Sequence, residues 1–378
     1  MSVFSDSATI VGEGCEPDVK NSQHADETNS MPGRKKAIAL FSGGLDSILA
    51  AVLVQRLGVD VTLLHIQHLW SGGEPARRKI QAAATRAGLP LRIVDASTDH
   101  LDVVRHPKHG YGSAVNPCVD CHIFMLRVGK RVMEEENADF VVTGEVLGQR
   151  PKSQHYGALR DVAEESGLGD RLLRPLSANL LPETLPVREG WLRREDLLSL
   201  RGRGREAQFV LAAEFGIRDF PQPAGGCLLT EKAYAARVFD AFSHLGKDAV
   251  GEDEFSILRV GRHFRLSERV KVVVGRDEGE NEFLAGFAAG RILVVPSPDV
   301  MGPSALVEGD PTQEELCLAT SLVARYCDHE GDAPIEMEIV DDGARRTVAV
   351  KPLKAADPRF AEWRVEDRAL RARRPPTQ

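Results

Sequence analysis

Residues 38–50 read Ile38-Ala39-Leu40-Phe41-Ser42-Gly43-Gly44-Leu45-Asp46-Ser47-Ile48-Leu49-Ala50. The apolar run 38–41 reads as a buried parallel strand. The turn Ser42-Gly43-Gly44-Leu45-Asp46-Ser47 follows, and an apolar helical pattern continues through Leu57. A strand that feeds a glycine turn and then a helix aims unpaired backbone N–H groups and the positive end of a helix dipole at one point. Such a point suits a phosphate. The turn has no Gly-Lys-Ser/Thr ending and no lysine, so it is not a Walker A loop, and it lacks the Gly-x-Gly-x-x-Gly spacing of dinucleotide sites.

Outward from this turn the chain alternates strand and helix. Apolar runs at 37–41, 61–67, 91–94 and 139–143 read as strands. Residues 47–57 and 121–136 read as helices, as does a segment with Arg77, Arg78 and Lys79 on its polar face that ends near Gly88. This alternation predicts an α/β fold with a doubly wound, Rossmann-like parallel sheet. Ligands in such sheets sit at the carboxyl ends of strands, where both the Ser-Gly-Gly turn and Thr143-Gly144-Glu145 fall. Residues 171–209 are dense in arginine (Arg188, Arg193, Arg194, Arg201, Arg203 and Arg205) with acids interleaved. They read equally as a solvated surface and as a polynucleotide contact.

A helix is expected at 231–245 and a charged, glycine-containing linker at 246–253. Beyond it the pattern becomes a smaller α+β module at 254–352, with strands near 255–260, 261–266, 271–274, 291–295 and 347–350 and helices from Glu280 and over 312–326. The resulting division is a disordered segment 1–35, a first domain 36–246, the α+β module, and a basic, mobile tail 353–378. Met31, just before the first strand, stands beside Met1 as a candidate start, and Cys15 lies in the disordered segment.

The chain has 378 residues, with 42% hydrophobic and 28% charged residues, as in ordinary soluble proteins. No apolar run reaches membrane-spanning length and no secretory signal is read, so a cytoplasmic protein is expected. The net charge of −8 argues against a general nucleic-acid coat but leaves room for a local basic groove. Six cysteines in a chain this long are not a disulfide framework.

Three cysteines stand in chemically suggestive settings. Asn116-Pro117-Cys118-Val119-Asp120-Cys121-His122 opens a helix, whose dipole favours the thiolate that both nucleophiles and metal ligands need. Cys227 lies in Pro223-Ala224-Gly225-Gly226-Cys227-Leu228, where two glycines permit close backbone approach. Cys317 and Cys327 read as core residues of the C-terminal module. Three chemistries stay open for the first set. Cys118, Cys121 and Cys227 could hold three irons of a [4Fe–4S] cluster, leaving the fourth iron for sulfide. A persulfide on Cys121 or Cys227 could be resolved by the other thiol. Zinc fits less well, since structural zinc takes four protein ligands.

The Ser-Gly-Gly-Leu-Asp-Ser turn resembles the PP-loop of the ATP pyrophosphatases, of adenine-nucleotide alpha-hydrolase type. With Asn116-Pro117-Cys118-Val119-Asp120-Cys121, Thr143-Gly144-Glu145 and Gly226-Cys227, residues 36–245 resemble the tRNA-thiolation branch: the catalytic domain of tRNA 4-thiouridine synthase, the 2-thiouridylases and their iron–sulfur-dependent relatives. Residues 255–352 resemble an NFACT-type RNA-binding domain through Gly261-Arg262-His263-Phe264, Val274-Gly275-Arg276-Asp277 and Glu280-Asn281.

The resemblance implies an ATP-dependent tRNA sulfurtransferase that adenylates a uridine carbonyl and replaces its oxygen with sulfur. Ser42, Gly43, Gly44, Asp46 and Ser47 would hold ATP phosphates and help place Mg²⁺, and Gly144 would line the nucleotide pocket. Cys121 and Cys227 would be the catalytic pair, with Cys118 completing a cluster-bearing set. The implied partners are tRNA and a sulfur donor, either a cysteine desulfurase or free sulfide, because no rhodanese-like segment is read. Two rivals share the motifs: a PP-loop enzyme that adenylates a small molecule for sulfur or nitrogen transfer, and a non-catalytic ATP- or RNA-binding protein.

Overall fold

Five parallel strands build the first sheet: β1 (Lys36–Leu40), β2 (Asp60–Gln67), β3 (Leu91–Asp95), β4 (Phe140–Val142) and β5 (Leu172–Leu173), in the order β3-β2-β1-β4-β5. In this computed structural model the described residues are 33–220, 227–331 and 333–372. The expected disordered segment, apart from residues 33–35, lies outside them. So do Cys15, Met31, Gly225, Gly226 and the chain beyond residue 372.

The central strand shows why the first stretch is apolar throughout. Ile38 pairs with Thr62 on one side and Val141 on the other. Its side chain enters one hydrophobic cluster while Ala37 and Ala39 enter the cluster on the opposite face. Both faces are covered, so no position tolerates a polar residue. The helices are α1 (Leu45–Arg56), α2 (Gly73–Ala87), α3 (Ser97–Arg105), α4 (Cys118–Glu135), α5 (Tyr156–Glu165), α6 (Leu185–Arg188), α7 (Glu206–Phe215) and α8 (Lys232–Leu245). Helix α1 is buried almost all round, from Leu45 to Val54, between the sheet and α7. Truncating Leu49, which has no exposed surface, to Ala would cost about 2–5 kcal/mol.

The strand order reverses between β1 and β4. From β1 the chain runs outward through β2 and β3, then returns to place β4 and β5 on the other side. The connections leaving the carboxyl ends of β1 and β4 therefore diverge, and a crevice opens between them. The Ser42–Ser47 turn (42–47) follows β1, and Thr143-Gly144-Glu145 follows β4.

The second sheet has six antiparallel strands in the order β11-β10-β8-β9-β7-β6. These are β6 (Arg262–Arg265), β7 (Lys271–Val274), β8 (Ile292–Pro296), β9 (Ala305–Glu308), β10 (Ile335–Asp341) and β11 (Ala344–Val350). They are joined by α9 (Glu252–Ile257), α10 (Glu278–Ala285), α11 (Gln313–Ala324), α12 (Arg359–Trp363) and α13 (Val365–Ala372). The α/β sheet with a smaller α+β module is thus as expected.

Several expectations fail. Residues 255–260 are not a strand, because α9 occupies 252–257. Glu254 accepts a hydrogen bond from the Gly251 N–H at 2.8 Å, and three acids fill the first turn, which stabilises a helix start. The helix expected from residue 121 begins at Cys118. Strands β9 and β10 escape the pattern reading. The segment from Arg359 is not a mobile tail as far as it is described: Trp363 and Val365 are buried, and Glu366 pairs with Arg237 of α8 at 2.6 Å. Across the expected boundary at 246–253, residues from Lys35 onward form one compact unit. Arg265 of β6 and Asp240 of α8, both 9% exposed or less, pair at 2.6 Å across that boundary. Val238 and Phe242 of α8 cluster with Val250 and Phe255, and α8 also packs on α13, so α8 is shared by both modules.

Candidate active site

The turn after β1 is organised by its own polar groups. Gly44 caps α1, and its carbonyl accepts from the Ser47 N–H at 3.1 Å and the Ser47 hydroxyl at 2.7 Å. Ser42 Oγ lies 3.3 Å from Ser47 Oγ. Gly144 meets this turn from the end of β4. A Cβ at position 144 would lie 2.5 Å from the Asp46 carbonyl group and 2.6 Å from Ser47 N, so only glycine allows the two loops to touch. The six residues expected to hold ATP are therefore one contiguous surface.

Asp46 points from the first turn of α1 into a polar contact assembled from distant segments. Its Oδ2 accepts from Gln149 Nε2 at 2.9 Å and from Arg205 Nη2 at 3.0 Å. Asp46 Oδ1, Gln149 Oε1 and Arg205 Nε are enclosed without a partner among the described residues. Buried polar atoms are nearly always satisfied. Here an acceptor on Asp46 and a guanidinium donor on Arg205 are left beside a helix N-terminus. That donor set fits a polyphosphate with a divalent cation, so the cradle suits ATP and Mg²⁺.

Behind the turn lies a buried charge relay. Glu145 accepts from Arg174 Nε at 2.8 Å, from His122 Nδ1 at 2.8 Å and from Thr143 Oγ1 at 3.1 Å. Burial alone would raise its pKa, but the Arg174 guanidinium and the His122 contacts outweigh burial and hold the carboxyl well below the usual range. His122 follows Cys121 on α4 and Glu145 follows Gly144, so this contact ties the cysteine helix to the nucleotide loop.

The cysteines converge from two directions. Helix α4 carries Cys118 and Cys121, and its start is fixed by Asn116, which donates to Cys118 Sγ at 3.0 Å. Cys227 precedes Leu229 and Tyr234, which pack with Trp70, Leu101 and Val115 in one cluster next to the Cys118 loop. Tyr234 accepts from Trp70 Nε1 at 2.8 Å, which anchors the start of α8. Burial pushes the Cys121 thiol up, and Cys227, Cys118 and Asp120 add to it. The expected thiolate-favouring effect of the helix start is thus overridden at Cys121. Cys227 is raised too, first by burial of its sulfur, with Cys118 adding and Arg150 opposing, although the residue presents area to solvent. The three thiols therefore sense one another. Among the described residues, no three side chains stand in a formed metal-ligand arrangement. The donor chemistry still fits an iron–sulfur group, because a bound cation offsets the cost of burying thiolate at Cys121 and Cys227.

An array of imidazoles escaped the sequence reading. His65 Nδ1 lies 2.9 Å from the Phe41 carbonyl, His68 stacks on His100 with centroids 4.6 Å apart, and His100 Nε2 lies 3.2 Å from Cys121 Sγ. Burial lowers the pKa of His68 to about 4 and of His100 to about 3, so both are neutral at pH 7. Arg205, Gln149, Arg174 and Glu145 were also unassigned. Arg205 stood in the arginine-dense run and Glu145 in Thr143-Gly144-Glu145, and Arg174 is a lone charge between apolar neighbours in Leu172-Leu173-Arg174-Pro175-Leu176, but none had been given a role. Cys327 is a core residue of the C-terminal module as expected, but Cys317 is not, because it lies on the exposed face of α11.

The chain is similar to known proteins in two regions. Residues 33–178 match the family described as thiamine biosynthesis protein (ThiI), and residues 261–364 match the NFACT protein RNA binding domain. A tRNA-specific 2-thiouridylase MnmA of Xanthobacter autotrophicus is 28% identical over 289 residues, covering 72% of this chain and 67% of that protein. A probable tRNA sulfurtransferase of Methanothermobacter thermautotrophicus is 30% identical over 119 residues, 30% of each chain. The chain thus spans about a third of the length of the sulfurtransferases that it matches, at 30% and 36%. Among solved structures, a 4-thiouridine synthetase–RNA complex with bound ATP is 21% identical, covering 53% of this chain and 46% of that one, at a TM-score of 0.35. The U34-tRNA thiolase NcsA of Methanococcus maripaludis, with its [4Fe-4S] cluster, is 19% identical, covering 60% and 71%, at a TM-score of 0.31. The first module is thus similar to the ThiI family and the second to the NFACT RNA-binding domain.

Proposed function

We propose that the protein is an ATP-dependent tRNA sulfurtransferase that makes a thiouridine. The observation that carries this reading is the strand-switch crevice, where the Asp46 turn and the Cys118–Cys121 helix are tied together through Gly144, Glu145 and His122. The backbone N–H groups of the turn and the Arg205 guanidinium would neutralise charge on the departing pyrophosphate as a uridine oxygen attacks the α-phosphate. Mg²⁺ would bind at Asp46 and supply Lewis-acid stabilisation of the phosphates. Once the carbonyl oxygen carries AMP, a sulfur nucleophile displaces it, and AMP leaves with the oxygen. Cys118, Cys121 and Cys227 would hold a [4Fe–4S] group, which supplies an iron able to carry sulfide. If no cluster is present, Cys121 and Cys227 remain the pair for a persulfide route. The cluster route takes free sulfide, whereas the persulfide route takes sulfane sulfur from a desulfurase and ends in a Cys121–Cys227 disulfide that an external thiol reductant reopens; the NFACT-type module contributes RNA contact.

The decisive experiment is pyrophosphate release from ATP by anaerobically purified protein, with and without bulk tRNA, alongside iron content and visible absorbance. Stimulation by tRNA with formation of a thionucleoside is the expected result. Turnover indifferent to tRNA would instead indicate a small-molecule substrate, and ATP binding without turnover would indicate a sensor. An active, iron-free protein would remove the cluster and leave the persulfide route.

A further inference from the structure

The arginine-dense run divides sharply once its partners are known. Arg188 is neutralised by Asp170 at 2.6 Å and Arg193 by Asp196 at 2.8 Å. Arg205 is held on Asp46. Arg194, Arg201 and Arg203 are exposed and have no ion-pair partner among the described residues, and the same is true of Arg150 from a different loop. The segments that carry Arg150, Arg201 and Arg203 are joined in the fold. Leu147 and Arg201 form a parallel bridge, and Gly202 donates to the Leu147 carbonyl at 2.7 Å. The buried Ser177 locks the pair from behind, donating to the Leu200 carbonyl at 2.6 Å and accepting from the Leu147 N–H at 3.0 Å.

The two segments so joined, 147–154 and 197–205, carry Arg150, Lys152, Arg201, Arg203 and Arg205 and no Asp or Glu. Their inner ends, Gln149 and Arg205, rest on Asp46. Their outer arginines, Arg150, Arg201 and Arg203, face solvent, and Arg150 is close enough to Cys227 to act on its thiol. Unpaired guanidiniums on a backbone-fixed rim repel one another unless an anion lies between them. Planar guanidinium groups suit the bidentate binding of phosphate.

We propose that Arg150, Arg201 and Arg203 form an RNA-backbone clamp at the mouth of the active site, gripping the phosphates beside the nucleotide presented between the Asp46 turn and Cys227. This inference rests on the tRNA-thiolation reading and refines it. The clamp contacts phosphate alone, so it positions the RNA without reading sequence. It also places RNA contact in the catalytic module, in a chain whose net charge of −8 forbids a general basic surface.

The test is equilibrium binding of bulk tRNA by the full chain across a range of KCl concentrations, with ATP affinity measured in parallel. Each phosphate contact contributes about 0.7–0.9 to the slope of log Kd against log salt. The triple variant Arg150→Gln, Arg201→Gln, Arg203→Gln should therefore lower the slope by about 2 and weaken binding about tenfold at low salt. Arg203→Glu alone should lower it by about 1, which keeps the test open if the triple variant folds poorly. Arg188→Gln, already neutralised by Asp170, should leave the slope unchanged. ATP affinity should match the wild type in every variant. An unchanged slope in both rim variants overturns the clamp while tRNA-stimulated pyrophosphate release by the wild type leaves the functional reading intact. Loss of ATP affinity in the triple variant overturns it by assigning the rim to nucleotide. A wild type that neither binds nor responds to tRNA overturns both.

Discussion

Gly144→Ala tests the joint between the two loops. The added Cβ would sit 2.5 Å from the Asp46 carbonyl carbon and oxygen and 2.6 Å from Ser47 N. Carbon contacts settle near 3.5–4.0 Å, so the overlap is relieved only by moving main chain by about 1 Å. No flexible side chain is available to yield, because all three atoms belong to the backbone of the first turn of α1. Overpacking of this kind costs about 1–3 kcal/mol of stability. The larger effect should be kinetic, since a displacement of about 1 Å in a positioned group can cost about 100-fold in rate. We therefore expect a modest loss in urea denaturation and about a 100-fold fall in kcat/KM for tRNA-stimulated pyrophosphate release. Gly157→Ala in α5 is the control, because its Cβ would meet only the His155 ring at 3.4 Å. If Gly144→Ala retained wild-type ATP affinity and turnover, the contact between the two loops would not be what places the phosphate cradle.

Other consequences follow from the buried charges. Arg174→Met strands Glu145, which is 6% exposed, without its guanidinium, and should cost about 3–5 kcal/mol in chemical denaturation; adding Glu145→Gln should restore part of that loss, and no recovery would refute the pairing argument. Ending the chain at Pro358 removes Trp363 and leaves Arg237 without Glu366, so the truncated protein should lose several kcal/mol by urea midpoint rather than behave as a protein freed of a loose tail. His263 is fully buried, and burial, with Lys271 and Arg237 adding, lowers its pKa well below 6.5. The unfolded chain therefore takes up a proton that the folded chain refuses. Stability is complete above about pH 6.5 and falls below it by at most about 1.4 kcal/mol per pH unit for this group. His263→Gln should flatten the loss between pH 6.5 and 5, and a stability that rises on acidification would refute this sign.

Much of the parallel sheet was legible because its signals are local. A buried central strand must be apolar on both faces, as Ala37, Ile38 and Ala39 are. A strand-to-helix phosphate turn is built from six consecutive residues, so its chemistry is written in one stretch. The Cys118–Cys121 pair sits at a helix start for the same reason. The C-terminal module was less legible. The run 255–260 is apolar enough for a strand, and only the Gly251–Glu254 cap decides for helix. The arginines after Arg359 suggested a solvated tail, but Trp363 and Glu366 have partners that no local pattern shows.

By itself, then, the sequence determined the kind of site: a phosphate cradle, a thiol set and a nearby basic run. Tertiary structure alone decided which residues meet. Asp46 finds Gln149 at a separation of 103 residues and Arg205 at 159, and Cys227 reaches the Cys118–Cys121 helix through the packing of α8 against Trp70. Periodicity and turn chemistry encode the shape of a segment over one or two turns. The identity of a buried partner depends on which faces the completed fold presses together, and that is set by the whole chain.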